Sequence, residues 1–271
     1  MLLPKISMLK QLKYQIGCSL ITVLVLSGFT PKLKAIETSP YFTNSLLLAE
    51  KPEKNVTPNV SALEIFRKAY KNRYTWNNQF PGYTAAVEFK QGKDKYNGNI
   101  SVSPDLSVEV TGINDEEASQ TIKNQLLMLA VHRHRTPFEV AHKDKTFKFG
   151  TATKAEIVEI IEDGGKAKAR YQLVNNQVIE VNRLLGPHAV VVKTLDTETT
   201  PEGYIATQYQ STFHDAKTNR LIGEEISSDT YKKVGNYYLP TRQVIQHTEG
   251  GNTFAAEFNF TQIKLMQPKI N

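Results

Sequence analysis

Two hydrophobic periods divide the chain beyond residue 60. From Ser61 to about Arg73 the apolar residues recur at helical spacing, and from Tyr83 onward they mostly alternate with polar residues. Ser61 and Glu64 have the spacing of a capping box, so we predict that the first helix begins there. The alternation of apolar and polar residues predicts half-buried strands, since successive side chains on a strand point to opposite faces.

A second helix interrupts the strands. The chain first predicts an antiparallel meander of three strands, over about residues 83–90, 96–102 and 106–110. Asn114 then precedes three acidic residues, while Ile122, Leu126 and Leu129 repeat at helical spacing. We therefore predict a helix capped by Asn114 and stopped before Pro137, with a basic last turn.

The chain from Phe138 onward predicts strands joined by tight turns. Turn signals stand at residues 163–165, 175–176, 186–187, 215–219 and 250–251, which brings the expected total to ten to twelve strands. The apolar face shifts within the last strand, so we expect a bulge near Thr261 or Gln262. Pro240 cannot donate to a ladder and belongs at an edge or a bulge. The predicted fold class is mainly β (α+β): a long, strongly curved antiparallel sheet or open half-barrel, with two helices packed as a lid.

The N-terminal region predicts an exported protein. Residues 1–35 contain five lysines and no acid, and an apolar stretch at residues 16–29 is too short for a comfortable membrane span. We interpret residues 1–35 as a signal peptide or uncleaved anchor, with cleavage after Ala35 or after Ala49 as alternatives. Residues 36–60 then form a disordered tether, residues 61–265 a single β-rich domain and residues 266–271 a tail. The expected location is the periplasm or the thylakoid lumen.

Composition and charge exclude several classes of protein. The chain has 271 residues, of which 40% are hydrophobic and 22% charged, with a single Cys, so collagen, low-complexity disorder and disulfide scaffolds are excluded. Five of the six net positive charges lie in residues 1–35, which leaves the body near neutral. Nucleic acid is therefore not an expected partner. We also expect no cofactor and no metal site.

Several blocks of this sequence resemble one family. They are NRYTWNNQFPGYTAAV at residues 72–87, SVEVTGI at 107–113, HRHRTPFE at 132–139, YKKVGNYYLPTRQVI at 231–245 and FNFTQIKL at 258–265. Together they resemble domain-of-unknown-function family 3386, which implies an uncharacterised protein of oxygenic phototrophs. The order of elements is also similar to the half-barrel lipoprotein carriers of bacterial envelopes, the LolA and LolB type. That similarity implies an open barrel with an apolar interior and helices as a lid, although fold analogy does not establish function.

The basic end of the second helix is a candidate anion site. Its residues are His132, Arg133 and Arg135, and the alternative is that these cations stabilise the helix dipole. Positions two apart on a helix diverge, so His132 and His134 would not hold one metal ion there.

Two other polar groups have a catalytic and a structural interpretation. His214 and Asp215 could supply a base and its orienting carboxylate, but their position between two strands favours a turn. Acidic residues also cluster at Glu156, Glu159, Glu162 and Asp163, where a pair of glycosidase carboxylates is the alternative to a charged, solvent-facing edge. His142, His188 and His247 are expected to be isolated surface or hairpin residues.

The block at residues 74–83 contains the only Trp of the chain in a non-periodic connection. It could line the mouth of a cavity or dock a partner, or it could fill the junction between helix and sheet as core. Our leading hypothesis is a non-enzymatic protein that binds an apolar ligand, such as a lipid, pigment or acyl chain, in the half-barrel. The ligand-binding residues would be Phe66, Tyr70, Trp76, Phe80, Leu126 and Leu129. The alternatives are a module that docks a membrane-protein partner and, through His132, His134 or His214, a hydrolase.

Overall fold

The computed structural model of this protein describes residues 60–151, 154–164 and 168–267. The predictions for the signal peptide or anchor, its cleavage sites and the tether fall on residues that lie outside this described part, apart from residue 60. The last four residues of the predicted C-terminal tail lie outside it as well.

The described chain forms a long antiparallel sheet and three helices. The helices are α1 (Ala62–Lys71), α2 (Glu116–Arg133) and α3 (Phe138–Ala141). The strands are β1 (Tyr83–Gln91), β2 (Asp94–Val102), β3 (Val108–Thr111), β4 (Thr146–Phe149), β5 (Val158–Asp163), β6 (Ala169–Val174), β7 (Gln177–Leu185), β8 (His188–Thr200), β9 (Gly203–Asp215), β10 (Leu221–Val234), β11 (Tyr237–Glu249) and β12 (Asn252–Leu265).

The twelve strands lie in one open sheet in the order β3-β2-β1-β12-β11-β10-β9-β8-β7-β6-β5-β4. The first strand pairs with the last, and the short strands β3 and β4 form the two edges. The predicted fold class is confirmed: a mainly β protein with an open antiparallel half-barrel. The third helix, α3, is an addition, since the sequence pattern had predicted strands from Phe138 onward.

The predicted turns and bulges are present. Asn175 and Asn176 both have positive φ, as the tight turn between β6 and β7 requires. In β12 the register slips opposite residues 84–86, and Gln262 has a φ of 52°, so the expected bulge is confirmed there. A second register shift between Thr230 and Tyr231 places the residue beside Pro240 in a bulge.

The helix ends follow their capping residues. Ser61 and Glu64 form the predicted capping box of α1. The second helix is capped by Asp115 and not by Asn114, because the Asp115 carboxylate accepts a hydrogen bond from the Ala118 backbone N–H at 2.8 Å. Within the described part of the chain, no helix has both the length and the apolar character needed to cross a membrane.

The sheet curls around α2. Leu126 and Leu129 belong to a hydrophobic cluster with β1, β2, β3, β11 and β12, whereas Met128 packs with Val190 of β8 and Phe213 of β9. From β3 to β8 there are seven strand-to-strand steps, which would span about 34 Å in a flat sheet at about 4.8 Å per step. Helix α2, about 27 Å long at about 1.5 Å per residue, contacts both ends of that span, as a curved sheet allows. Helix α2 therefore lies along the concave face.

Helix α1 covers a separate core at the other end of the sheet, over β4 to β7. The acidic cluster predicted as a solvent-facing edge lies here, and for two of its members that prediction is wrong. Glu159 and Glu162 are 5% and 4% exposed, on a strand that lies between β4 and β6. They are three residues apart and so face opposite sides of the sheet. Each contacts an arginine, since Arg170 lies 2.9 Å from Glu159 and Arg183 lies 3.7 Å from Glu162.

Candidate functional site

The concave face beneath α2 is the best candidate for a binding surface. Its apolar part is formed by strands from both halves of the sheet, with α2 packed against it. We call the surface on which α2 packs, together with the α2 side chains that cover it, the α2 seat. Its buried side chains are Tyr83, Ala85, Val87, Phe89, Ile100, Val102, Val108, Ile205, Tyr237, Leu239, Phe258 and Phe260 on the sheet, and Ala118, Ile122, Leu126, Leu129 and Ala130 on α2. In this structure α2 fills the concavity with its own side chains.

The six residues predicted to bind an apolar ligand are all buried, in two separate places. Trp76, Phe80, Leu126 and Leu129 belong to the hydrophobic cluster that includes the α2 seat. Phe66 and Tyr70 lie in the second core under α1, so the structure does not bring all six together. Their role in ligand binding stays a prediction.

The aromatic block at residues 74–83 fills the junction between helix and sheet. Trp76 is 2% exposed, stacks on Phe80 with ring centroids 4.1 Å apart, and donates from its indole N–H to the Tyr238 carbonyl at 3.2 Å. Its backbone N–H donates to the Arg133 carbonyl at 2.6 Å, which ties the block to the end of α2. Of the two interpretations of this block, the structure shows the core arrangement.

A chain of hydrogen-bonded polar side chains crosses the centre of the α2 seat. The Gln125 amide N–H of α2 donates to the Gln243 Oε1 at 2.7 Å, and the Gln243 amide N–H donates to Asp229 at 2.8 Å. The other Asp229 oxygen accepts from the Tyr231 hydroxyl at 2.9 Å, and that hydroxyl accepts from Arg133 at 2.7 Å. We call these five residues the polar strip. It links the middle of α2 to its C-terminal end through β10 and β11.

Burial dominates the electrostatics of two members of the polar strip, Asp229 and Tyr231. It raises the pKa of Asp229, against the opposing hydrogen bonds from Gln243 and Tyr231 and the charge of Arg133. Burial also raises the pKa of Tyr231. Tyr231 is therefore a protonated hydroxyl that donates to Asp229, while the Arg133 guanidinium lies 5.0 Å from the centre of its ring.

The three residues of the predicted anion site have different surroundings. Burial lowers the pKa of His132 to about 3, so this side chain is neutral at physiological pH. Arg133 is directed into the polar strip. Arg135 is exposed, and its guanidinium Nε–H donates to the Thr75 hydroxyl at 3.0 Å. Of the three, only Arg133 is a partly buried cation in contact with the polar strip.

Sequence reasoning missed a second buried polar group, under α1. His142 Nδ1 lies 3.4 Å from Glu162, whose other oxygen accepts from the Tyr171 hydroxyl at 2.6 Å. Burial acts to raise the pKa of Glu162, but its contacts with His142, Tyr171 and Arg183 outweigh burial, and the pKa is lowered. The prediction that His142 lies at the surface is wrong, because its ring is packed among four aromatic rings. These are Phe66, Tyr70, Phe138 and Phe147, with centroids 4.8–5.7 Å away.

The other histidines have structural surroundings. His214 and Asp215 form a turn: the Asp215 carboxylate accepts from the backbone N–H groups of Lys217 and Thr218, and His214 lies 3.2 Å from the Asn219 carbonyl. His247 is not isolated, because its Nδ1 lies 3.2 Å from the buried Glu225. Nowhere in the described ranges are three or more His, Cys, Asp or Glu side chains grouped so that they could hold a metal ion.

Two surface hollows lie on the opposite, convex face. One, of about 300 Å³, is lined by polar side chains of β1, β2 and β3 beside the β12 bulge, such as Asn99 and Glu109. The other, of about 360 Å³, lies over β7 to β9 and includes Lys193 and His214. Neither includes a residue of the polar strip.

Comparison with known proteins identifies a family but no described activity. No curated protein matches the chain. Among solved structures, one neighbour is a domain from Vibrio parahaemolyticus proposed to be an outer membrane lipoprotein-sorting protein, at 9% identity and a TM-score of 0.29, covering 76% of this chain and 92% of that one. Another is MucB in complex with MucA(peri), at 8% identity and a TM-score of 0.20, covering 76% and 99%. The Pseudomonas aeruginosa MucA/MucB complex matches at 7% identity and a TM-score of 0.19, covering 76% and 98%. At TM-scores this low, we draw no conclusion about this protein from these neighbours.

One family model matches most of the chain. The match covers residues 57–266, which include every described helix and strand. The chain therefore belongs to the family of proteins of unknown function DUF3386.

Proposed function

We propose that this protein is a non-enzymatic binder of an apolar ligand, a lipid, pigment or acyl chain, which occupies the concave face in the space that α2 fills. The observation that carries the proposal is that α2 is the one described helix that packs on this apolar face, while the centre of its contact is polar. A buried polar link specifies how a helix is seated more than it adds to stability. The polar strip thus supports the proposal that α2 has one defined position on the sheet and can leave it.

The energies of the two occupants support an exchange between them. Ile122, Leu126, Met128 and Leu129 of α2 are buried against the sheet. At about 1.5–3 kcal/mol each, they contribute about 6–12 kcal/mol of hydrophobic stabilisation. A sixteen-carbon acyl chain contributes about 12 kcal/mol at about 0.8 kcal/mol per buried CH₂. A ligand of this size could therefore replace the contacts that α2 gives up.

Tethering α2 to the sheet tests this proposal. The Gln125 and Gln243 side chains meet at 2.7 Å, so Gln125→Cys and Gln243→Cys, in a Cys18→Ser background, place two thiols within reach of a short, reducible thiol crosslinker. Binding of diphenylhexatriene, a neutral apolar dye that fluoresces in apolar surroundings, is then measured. We expect binding before crosslinking, loss of binding after it and recovery on reduction.

A second pair of cysteines provides the matched control. Gln120 and Asn124 also meet at 2.7 Å, but on the exposed side of α2. A crosslink between Gln120→Cys and Asn124→Cys stays within the helix and should leave dye binding unchanged. Dye binding that persists when α2 is tethered to the sheet would contradict the proposal, as would a protein that binds no dye and carries no lipid when isolated gently from its native membranes.

Docking of a membrane-protein partner is the competing function. Trp76 is 2% exposed and offers little surface to a partner, whereas Phe149 is 40% exposed on the edge strand β4. An exposed edge strand can pair with a strand of another chain. A single recurrent protein crosslinked in native membranes and lost on Phe149→Glu would favour this function over ligand binding.

A further inference from the structure

The polar strip contains a partly buried cation that the protein does not neutralise by direct contact. The Nε atom of Arg133 is buried and has no hydrogen-bond partner among the described residues, and the same is true of the Tyr83 hydroxyl. No described carboxylate forms an ion pair with Arg133. Its link to Asp229 passes through the Tyr231 hydroxyl.

This arrangement leaves Arg133 with unused binding capacity. A guanidinium stays charged at physiological pH, and a buried charge is costly unless it is paired. The Tyr231 ring offsets part of that cost. Because burial raises the pKa of Asp229, the carboxylate linked to Arg133 through Tyr231 is a weakened counter-charge. A planar guanidinium with free N–H groups matches the oxygens of a carboxylate or a phosphate.

Apolar surface lies along the two turns of α2 that precede this cation. Leu126 and Leu129 pack with side chains of β1, β2 and β12, and Met128 packs with Val190 and Phe213. A ligand held here would place a charged head at Arg133 and an apolar tail against the sheet. Since His132 is neutral and Arg135 is exposed, neither adds a second buried cation.

We infer that the ligand is an amphiphile with an anionic oxygen head, bound through that head by Arg133. This inference rests on the proposed function and names the class of ligand. The Tyr83 hydroxyl would be the second hydrogen-bonding group of the site, since it is buried without a partner among the described residues and belongs to the hydrophobic cluster against which Tyr231 packs.

Three twelve-carbon probes that differ only in their heads test the inference: dodecanoic acid, dodecyl phosphate and dodecan-1-ol. Binding to the full-length protein is followed by the fluorescence of Trp76, the only Trp of the chain, which contacts the backbone of Arg133. We expect both anionic probes to bind about tenfold or more tightly than the alcohol, as one charge-assisted hydrogen bond supplies. Dodecanoate preferred over the phosphate would indicate a carboxylate head, and the reverse order a phosphate head.

Arg133→Gln should remove the preference for anionic heads while dodecan-1-ol still binds. Lys123→Gln, which removes an exposed cation from the same helix, should leave the preference unchanged. Circular dichroism checks that each variant folds. If Arg133→Gln does not fold, Arg133→Lys replaces it, and the loss of the planar fork should then weaken dodecanoate binding several-fold.

The outcomes distinguish the role of Arg133 from the proposed binding of an apolar ligand. Equal binding of acid and alcohol by the native protein, or an anionic preference that survives Arg133→Gln, would overturn the role of Arg133 and leave apolar ligand binding intact. Failure of all three probes and of diphenylhexatriene would overturn the proposed function, and the inference with it.

Discussion

Replacing the buried glutamine pair tests how the polar strip seats α2. Gln125 and Gln243 are 3% and 2% exposed, so a hydrogen bond that either loses cannot be replaced by bulk water. Gln125→Leu leaves the Gln243 carbonyl without its donor, at a cost of about 1–3 kcal/mol. Gln243→Leu leaves the Gln125 amide without its acceptor and Asp229 without one donor, so we expect about twice that loss of unfolding free energy. The double variant removes both members of the pair and leaves only Asp229 unmatched.

The double variant should therefore be more stable than the sum of the two single effects predicts, by about 2–6 kcal/mol, because two fewer groups are left without a partner. Urea denaturation with linear extrapolation gives the four free energies of unfolding that complete the cycle. Gln120→Leu, on the exposed side of α2, is the control and should change stability by no more than about 0.5 kcal/mol. Single effects that add within about 0.5 kcal/mol would refute the claim that this pair couples α2 to β11.

Three further predictions concern the two cores and their charges. The hydrogen bond with Glu225 raises the pKa of His247, so its stabilising contribution is present below the unfolded pKa and is lost as pH rises through the folded pKa. Denaturation of the native protein and of His247→Gln should therefore show a larger difference in unfolding free energy at pH 5.5 than at pH 8. The pKa of Glu162 is lowered, so its contribution to stability is present above the unfolded pKa and is lost as pH falls through the folded pKa. Glu162→Gln should therefore lower the free energy of unfolding by about 3–5 kcal/mol at pH 7 and by less under acid conditions. Trp76→Ala should cost about 3–5 kcal/mol of unfolding free energy, as expected for a large core aromatic, and a change below about 1 kcal/mol in denaturant titrations would contradict its place in the core.

Local rules explain the parts of the fold that could be predicted from the sequence. The capping box at Ser61, the Asn-Asn turn and the bulge at Gln262 depend on residues close together in the chain, so one sequence suffices to find them. The cap of α2 shows the limit of such rules. Asn114 and Asp115 are both good N-cap residues, and the backbone conformation that decides between them is set by how α2 is placed on the sheet.

The buried polar groups could not be predicted in the same way. Glu162, Gln243 and Asp229 are common surface residues, and their burial depends on partners that are distant in sequence. Gln125 and Gln243, for example, are 118 positions apart. One signal was present for Arg133: it falls in the last turn of a helix, shortly after the apolar run at residues 126–131. The sequence does not reveal that this turn is covered by Trp76 and Tyr231.

The distance between α2 and the sheet, measured with and without ligand, tests the central claim most directly. Spin labels attached at Lys123→Cys on α2 and Thr261→Cys on β12, both exposed positions, report that distance in a Cys18→Ser protein. On saturation with dodecanoic acid, the account predicts a second population at a longer distance, because α2 leaves its seat as the acyl chain enters. An unchanged distance in a protein shown to have bound the acid would contradict it.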